Sequence, residues 1–331
     1  MQVFVEALSE QCGRHGLDAE LILVEWNPPH DRPRLAEALR WPVSRRCKVR
    51  IIEVPSELHR RFDNGQIIPL HQMIAKNVGI RRARGNFVAA TNIDVLFSDK
   101  LMEFLAGDNL ETGLWYRADR YDVRENVPAG VSVEEQLAFC RDNLLRVHER
   151  DGTRDLKTGA FNRIYRAPNV LRAFRLLAPF KFLPFLGERL ENARNSFRFI
   201  DECGRLHTNA CGDFTLMAHQ NWLDLRGYWE FAGFPFNVDG ILCHAACFLG
   251  LNEKTLPSSS CVYHIEHGKG SGFTGYVSGK KWTELDTGGI PWITPEAYTE
   301  IVHEIISGKR PPVMNNDDWG LGGEELTEYG L

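Results

Sequence analysis

Residues 76–94 read KNVGIRRARGNFVAATNID, and this stretch decides the class of fold. Its first half continues an apolar periodicity of about 3.6 residues, which predicts a helix over residues 67–84 that ends at Gly85. Its second half is short, apolar and bounded by turn residues, and it predicts a buried strand over residues 86–91. The strand carries Asn92 and Asp94 to its carboxyl end.

The same alternation of strand and helix extends to both sides of this stretch. Residues 20–25 and 49–54 predict two further strands, and Ser98 predicts the cap of a helix through Ala106. This order indicates an α/β fold with parallel strands. Ligands of such sheets bind beyond the carboxyl ends of the strands. Glu25 lies at such an end.

Further elements are predicted downstream. Ser132 opens a capping box for a helix to about Arg150, whereas residues 151–208 lack periodicity and predict long loops with short helices. The other predicted elements are strands over 114–117, 214–217 and 261–264, helices over 219–226 and 238–249, and a last helix from Thr294. Residues 315–331 form a polar tail.

Composition and charge exclude some classes of function. The chain has 331 residues and a formal net charge of −5, so a general affinity for nucleic acid is not expected. No apolar run approaches the ~18 to 20 residues of a membrane span, and we expect no transmembrane segment and no secretory signal. The eight scattered cysteines predict free thiols. The aromatic segment 176–190 favours a buried or lid-like loop over a surface for a lipid-linked acceptor. We expect a cytoplasmic protein or one peripheral at the inner face of the membrane.

Two groups of residues are candidates for a divalent cation. Asp94 follows a buried strand, where a hard cation needs oxygen ligands and bridges to phosphate oxygens. His264 and Glu266 alternate at the end of a strand, so both would face one side. The residue pattern leaves open that Asp94 is a turn residue and that the histidine segment is a solvent-facing strand end.

Two further carboxylates are candidates for acid–base or substrate-binding roles. Asp239 lies in the first turn of an amphipathic helix, where the helix dipole favours negative charge and a general base could face a cleft. Gly212 permits close backbone approach, and Asp213 could bind sugar hydroxyls. The alternatives are that Asp239 only caps its helix and that Gly212 and Asp213 form a turn.

Taken in order, these motifs resemble the core of GT-A glycosyltransferases. In the large inverting family that includes polysaccharide synthases, a helix with the pattern Arg-Asn-x-Gly-x-x-x-Ala-x-Gly leads into a strand and an Asp-x-Asp motif. Residues 76–94 resemble this pattern with Lys76 in place of the arginine and Asn92 in place of the first aspartate. Asp94 then holds the position of the metal-binding aspartate.

The resemblance continues downstream. Asp239 matches the last acid of the family's Glu-Asp pattern, with Val238 in place of the first acid. Tyr263 and His264 resemble the segment whose histidine completes the metal site in chondroitin-polymerase-like transferases. The stretch from Gly212 to Tyr228 is similar to the one that shapes the donor-sugar and acceptor site.

The resemblance implies a fold and a set of roles. The fold would be GT-A, a Rossmann-like nucleotide-diphospho-sugar transferase fold with a mixed, mostly parallel central sheet. It would cover residues 1–272, with 151–208 as an irregular insertion and 273–331 as an extension with one helix and a polar tail. The implied roles are catalytic base for Asp239, Mn²⁺ or Mg²⁺ ligand for Asp94 and His264, nucleotide contact for Glu25, Lys76, Asn77 and Asn92, and donor-sugar or acceptor contact for Gly212, Asp213 and His267.

The start of the chain departs from the family pattern. The family begins with a strand that helps to hold the nucleobase, whereas this sequence begins with a predicted helix over residues 3–15. We therefore expect the first strand to be missing, through truncation or a misplaced start, or with residues 3–5 as its remnant.

The prediction for function is a metal-dependent glycosyltransferase. It would move a sugar from a nucleotide-diphosphate donor to a glycan or polysaccharide acceptor, with inversion at the anomeric carbon. One alternative is a catalytically degenerate GT-A fold that binds or scaffolds. The other is a metal-dependent hydrolase built on Asp94, Asp213, His264 and His267.

Overall fold

The computed structural model describes residues 1–163, 206–267 and 287–331. The helices are α1 Gln2–His15, α2 Leu35–Ala38, α3 Ser56–His59, α4 Gln72–Arg81, α5 Asp99–Ala106, α6 Val133–Asp142, α7 His219–Leu225, α8 Val238–Phe248 and α9 Pro295–Ile306. The strands are β1 Ala19–Trp26, β2 Cys47–Val54, β3 Phe87–Thr91, β4 Val95–Phe97, β5 Leu114–Arg117, β6 Arg120–Val123, β7 Leu144–Glu149, β8 Gly152–Asp155, β9 Phe161–Arg163, β10 Phe214–Ala218, β11 Asn252–Thr255, β12 Val262–Ile265 and β13 Thr327–Gly330.

The described strands form three mixed sheets, with the orders β1-β2-β13, β11-β5-β10-β3 and β4-β12-β6-β7-β8-β9. Three neighbouring pairs are parallel, namely β1–β2, β11–β5 and β12–β6. The other seven pairs are antiparallel. The α/β class is therefore confirmed, but the sheets are mixed rather than mostly parallel. The reason is that β10 enters antiparallel between β3 and β5, and β6, β7, β8 and β9 pair antiparallel in succession.

Two apolar layers cover β1 on its opposite faces. Leu21 and Leu23 pack in the cluster that contains α1, through Phe4 and Cys12. The residues of β1 that alternate with Leu21 and Leu23 face the other way and pack beside α4 in another cluster. This period of two is the pattern of a strand with both faces covered. The layers leave the carboxyl ends of β1 and β3 as the place where polar side chains collect.

Signals close in sequence correctly predicted where several helices begin. The hydroxyl of Ser98 accepts a hydrogen bond from the Leu101 amide, Ser132 forms a capping box with Glu135, and Thr294 caps α9. Such caps satisfy amides of the first turn that lack partners within the helix.

Three predictions of local structure were wrong. The helix predicted over residues 67–84 spans only Gln72–Arg81, and Pro69 disfavours helical backbone in the residue before it. The helix predicted to reach Arg150 ends at Asp142, and the chain turns into β7, which pairs with β6. Residues 3–5 lie inside α1 and provide no remnant of a strand.

Some predictions fall on parts of the chain that lie outside the described residues. The aromatic segment 176–190 and the glycine-rich stretch 268–272 are among them. In the region predicted to be irregular, β8 and β9 are described and residues 164–205 are not. The polar tail contains β13, which pairs antiparallel with β2. In the described part of the chain, no helix combines the length and the apolar character needed to cross a bilayer.

Candidate functional site

The turn after β3 brings Asp94 next to the end of β12. The chain leaves β3 at Thr91 and enters β4 at Val95, and β4 pairs with β12 so that Val95 lies opposite His264. The Ile265 amide donates a hydrogen bond to the Asp94 carbonyl oxygen at 2.8 Å. Strand pairing therefore places His264 and Asp94 side by side, although 170 positions separate them in the sequence.

Asp94, His264 and His267 form a cluster whose three potential ligand atoms all lie within 4.8 Å of one another. The Asp94 Oδ2 atom is 2.7 Å from His267 Nε2 and 3.7 Å from His264 Nε2. The second Asp94 oxygen, Oδ1, is buried and has no hydrogen-bond partner among the described residues. The two imidazole centroids are 5.3 Å apart. The arrangement offers one carboxylate and two imidazoles to a single cation.

The end of β12 explains why His267 joins this cluster. Strict alternation would put His264 and His267 on opposite faces of a strand. The strand stops at Ile265, so the next residues turn back, and His267 reaches Asp94. Glu266, expected beside His264, instead forms an ion pair with Arg146. His267 was predicted to contact the donor sugar or the acceptor, but the structure groups it with Asp94 and His264.

Asp122 lies directly behind His264 and is fully buried. Its Oδ1 atom is 3.3 Å from His264 Nδ1. Arg120, Arg146 and His148 donate to the same carboxylate at 2.7 to 2.9 Å. Burial alone would raise the pKa of Asp122, but the hydrogen bond from His148, the close contact with His264 and the charge of Arg120 hold that pKa far below its usual range. The carboxylate is therefore ionised, and it fixes the position of the His264 ring.

Arg120 joins Asp122 to Asp213 and lines the same cavity as Asp94. Its guanidinium contacts Asp122 at 2.8 Å and Asp213 at 2.6 Å. Asp213 is buried and also accepts from the Asn92 side chain. Although burial opposes ionisation, Arg120 keeps the pKa of Asp213 below its ordinary value. Asp213 thus fixes the positions of Asn92 and Arg120. Its carboxylate oxygens are largely occupied by the contacts with these two side chains.

Lys76 and Asp239 meet at Gly212. The Lys76 ammonium donates to the Gly212 carbonyl oxygen, and the Gly212 amide donates to Asp239 Oδ2 at 2.7 Å. Asp239 Oδ1 also accepts from the Gly240 amide at 2.9 Å. Burial lowers the pKa of Lys76, and the nearby carboxylates of Asp213 and Asp239 oppose this effect. Lys76 lines the cavity, whereas Asp239 stands behind Gly212 and is half-buried.

The predicted nucleotide contacts divide into two groups. Glu25, Lys76 and Asn92 line the cavity, and Glu25 has a buried oxygen, Oε2, without a hydrogen-bond partner among the described residues. Burial raises the pKa of Glu25. Asn77 is different, because it is fully buried. Its side-chain amide donates to the Tyr228 carbonyl oxygen and to the Glu230 carboxylate, and its side-chain oxygen accepts from the Tyr228 amide. The prediction that Asn77 contacts nucleotide is therefore not supported; Asn77 anchors a loop.

One cavity of about 1830 Å³ connects these groups. Its polar end lies at the carboxyl ends of β1 and β3 and is lined by polar side chains from several elements. These residues are Glu25, Lys76, Asn92, Asp94, Arg120, Asp213, His264 and His267. Cations and carboxylates occur together there, so the polar end suits a ligand that carries both negative phosphates and hydrogen-bonding hydroxyls.

The sequence interpretation missed Arg120, Asp122, Arg146 and His148. Their signal is the alternation of polar residues on two short strands, since Arg120 pairs with His148 and Asp122 with Arg146 across β6 and β7. All four side chains consequently share one face of the sheet. The predicted long helix included the residues of β7, so the alternation of polar residues was not recognised.

Comparison with known proteins adds no relative. No protein-family model matches the chain, and no curated protein matches it at a significant level.

Proposed function

We propose that this protein is a metal-dependent glycosyltransferase that moves a sugar from a nucleotide-diphosphate donor to a glycan or polysaccharide acceptor, with inversion. The observation that carries the proposal is the cluster of Asp94, His264 and His267 at the polar end of the cavity. Lys76 and Arg120 line the same cavity. A cation site next to fixed cationic side chains suits a diphosphate leaving group. The GT-A assignment is part of this proposal and rests on the resemblance of residues 76–94.

The donor set supports Mn²⁺ over Mg²⁺. Magnesium prefers oxygen ligands and retains several waters, whereas imidazole suits transition metals. Asp94 Oδ1 is buried without a partner among the described residues, which supports a missing positive partner at this atom. A bound Mn²⁺ would supply Lewis-acid stabilisation of charge on the departing diphosphate. Asp94, His264 and His267 would hold the ion, and Asp122 would keep the His264 ring in place.

The remaining cavity residues support binding of a nucleotide. Glu25 offers an unused buried carboxylate oxygen, which can accept from a ribose hydroxyl or a base N–H group. Asn92 is held by Gln72 at 3.0 Å and by Asp213, so its position is fixed before ligand arrives. Lys76 and Arg120 are fixed in the same way and cost little reorganisation on binding.

Asp239 is the proposed general base. Its two backbone hydrogen bonds, from Gly212 and Gly240, fix the direction of the carboxylate while leaving lone pairs free. A base must lie within hydrogen-bond reach of the acceptor hydroxyl, so the proposal requires the acceptor to approach beside Gly212. The proposed location is cytoplasmic or peripheral at the inner face of the membrane.

The test is a thermal-shift screen of nucleotide-diphosphate sugars, with and without Mn²⁺. A ligand at one hundred times its Kd stabilises the folded state by ~2.7 kcal/mol. We expect a Mn²⁺-dependent shift with one nucleotide, lost in Asp94→Asn and retained in the control Asp108→Asn, whose carboxylate is exposed on a loop. Product analysis then follows for the donor that binds.

Each rival function has its own signature in these experiments. Metal-dependent nucleotide binding without turnover on any acceptor would favour a degenerate binding protein. Release of free sugar without an acceptor would favour a hydrolase. A product that keeps the anomeric configuration of the donor would overturn inversion, and absence of any Mn²⁺-dependent shift would overturn the proposed function.

A further inference from the structure

Arg117 ends β5 and is fully buried, and it forms no ion pair with a carboxylate of the described residues. Its guanidinium donates instead to three carbonyl oxygens, those of His207 at 3.0 Å, Asn209 at 3.2 Å and Cys211 at 3.4 Å. We call residues 207–213 the site loop. A buried charge is costly unless hydrogen bonds satisfy it, and here the backbone of the site loop supplies them. Arg117 is therefore a candidate for fixing the shape of this loop.

Ala210 lies between two of these carbonyl groups and has a left-handed backbone, with φ 51° and ψ 33°. A residue with a Cβ atom rarely adopts this conformation, because Cβ approaches the following carbonyl oxygen too closely. Such strain persists only where the surroundings hold the backbone in place. Arg117 binds the carbonyl group of Asn209 before Ala210 and that of Cys211 after it. In the described part of the chain, no other side chain binds the loop backbone on both sides of Ala210.

The site loop ends at Gly212 and Asp213, which contact four side chains of the candidate site. These side chains are Lys76, Asn92, Arg120 and Asp239. The contact with Asp239 is close, because a Cβ atom on Gly212 would lie 3.0 Å from Asp239 Oδ2. A small displacement of the loop therefore changes the direction of the Asp239 carboxylate and the position of the Lys76 ammonium.

The amino-terminal half of the site loop has a separate anchor. The side-chain amide of Asn209 donates to the carbonyl oxygens of Glu149 at 3.1 Å and Gly152 at 3.0 Å. These contacts hold the loop up to residue 209 without help from Arg117. Loss of the Arg117 guanidinium should consequently release Ala210 and the residues after it, while the first half of the loop stays in place.

We propose that Arg117 is a positioning residue that holds Ala210 in its left-handed conformation and thereby places Gly212 between Lys76 and Asp239. Because Arg117 is fully buried, it acts through the site loop rather than on a ligand. The effect on turnover rests on the proposed function, whereas the effect on the loop does not.

The first measurement is alkylation of the native protein with iodoacetamide, followed by peptide mass spectrometry. Arg117→Lys keeps a positive charge but loses the planar fork that spans several carbonyl groups. Cys211 is buried beside Ala210 and reports release of the loop, whereas Cys12 and Cys140 are buried in other apolar clusters. We expect alkylation of Cys211 to become at least about tenfold faster, and that of Cys12 and Cys140 to stay within about twofold.

The matched control is Arg82→Lys. The Arg82 guanidinium also donates to three carbonyl oxygens of a loop, those of Gly320 at 2.6 Å, Leu321 at 2.7 Å and Glu324 at 3.2 Å. This second loop contains none of the proposed site residues. We expect Arg82→Lys to lower Tm, as Arg117→Lys does, without a selective rise in the alkylation of Cys211.

The second measurement compares turnover with ion binding. We expect Arg117→Lys to lower kcat by about 10- to 100-fold, because displacement of a catalytic group by a fraction of an ångström is costly. Mn²⁺ affinity should stay within about twofold, because Asp94, His264 and His267 lie outside the site loop. Arg82→Lys should leave the kcat of the folded protein unchanged.

A second variant tests the same loop if Arg117→Lys does not fold. The Thr215 hydroxyl accepts from Arg117 at 3.4 Å and donates to the Cys211 carbonyl oxygen at 2.9 Å. Thr215→Val removes this hydroxyl and keeps the branched shape. We expect Cys211 alkylation to become about fivefold faster, again without a change at Cys12.

Two results would overturn the proposal. One is an equal rise in alkylation at Cys211, Cys12 and Cys140, which would assign Arg117 to general stability. The other is an unchanged kcat in a variant whose Cys211 is selectively released. A wild type without Mn²⁺-dependent donor binding would overturn the proposed function instead, since the alkylation experiment needs no donor and still decides whether Arg117 holds the loop.

Discussion

Asp122 Oδ1 lies 3.3 Å from Nδ1 of His264, and Asp94 Oδ2 lies 3.7 Å from Nε2 of the same ring. The imidazole is therefore held between a buried carboxylate and the candidate metal cluster. Burial lowers the pKa of His264, but Asp122, Asp213 and Asp94 together raise it above its ordinary value. A carboxylate behind a metal-binding histidine fixes the orientation of the ring and increases its basicity.

The first prediction concerns this carboxylate. Asp122→Asn removes the negative charge behind His264, and we expect Mn²⁺ affinity to fall by about 10- to 100-fold. Isothermal titration with MnCl₂ measures the change without need of a donor. The control is Asp119→Asn, because Asp119 also pairs with a buried histidine, His207, at 2.9 Å. Equal Mn²⁺ affinity in the two folded variants would contradict the role of Asp122.

The second prediction separates two roles for His267. If His267 is a metal ligand, His267→Ala weakens Mn²⁺ binding by about tenfold or more, with or without donor. If it contacts the donor sugar, only donor affinity falls. We expect the first result, because His267 Nε2 lies 2.7 Å from Asp94. Titrations with Mn²⁺ alone and with the donor distinguish the two roles. The control is His303→Ala, at an exposed position of α9.

The third prediction concerns Asp239. We expect Asp239→Asn to lower kcat by about 10²- to 10⁴-fold, since a general base contributes on that scale. Mn²⁺ and donor affinities should stay within about twofold, because the proposed base contacts the acceptor hydroxyl rather than the ion or the donor. Steady-state kinetics and titrations on the same preparation make the test. An unchanged kcat would rule out Asp239 as the base.

The fourth prediction treats Asn77 as a structural residue. Asn77→Ala removes hydrogen bonds of 2.7, 2.8 and 3.0 Å to Tyr228 and Glu230, and it leaves buried backbone groups without a partner. We expect a loss on the order of 3 kcal/mol in the free energy of unfolding, measured in urea. Donor affinity of the folded variant should be unchanged. A selective loss of donor affinity would instead restore Asn77 as a nucleotide contact.

The fifth prediction is a pH dependence of stability. His71 is buried with both ring nitrogens unpartnered among the described residues, and burial lowers its pKa to about 4. Between pH 6.5 and 4 the unfolded chain binds the proton and the folded chain does not, so stability falls as pH falls. The loss is about 3 kcal/mol at the acid end.

His71→Phe removes that proton-binding group and keeps an aromatic ring beside Trp26, His59 and Phe62. We therefore expect the free energy of unfolding of the variant to fall less steeply between pH 6.5 and 4. Urea unfolding at several pH values measures this slope. The control is the same comparison at pH 7.5, where the His71 ring carries no charge. There, the free energies of unfolding of variant and wild type should differ less. Parallel pH curves for the two proteins would contradict the assignment.

Local signals in the sequence predicted many elements and part of the site. Ser98, Ser132 and Thr294 cap helices through partners only three residues away, so tertiary context was not needed. Apolar runs bounded by turn residues predicted β1, β2 and β3 for the same reason. Glu25, Asn92, Asp94 and His264 were found from their positions at element ends, and Lys76 from the family resemblance of residues 76–94. The structure brings all five to one cavity.

The features that depend on strand pairing and on chain reversal were decided only by the tertiary structure. Whether residues 144–149 are helix or strand depends on their pairing with β6, and that pairing brings Arg146 and His148 to Asp122. The position of His267 depends on where β12 stops, because one more strand residue would turn the side chain away from Asp94. Asn77 carries the residue type of a nucleotide contact, yet burial against Tyr228 uses up its hydrogen bonds. Sequence by itself therefore determined the elements and the candidate ligands, and only strand register and burial determined which side chains meet.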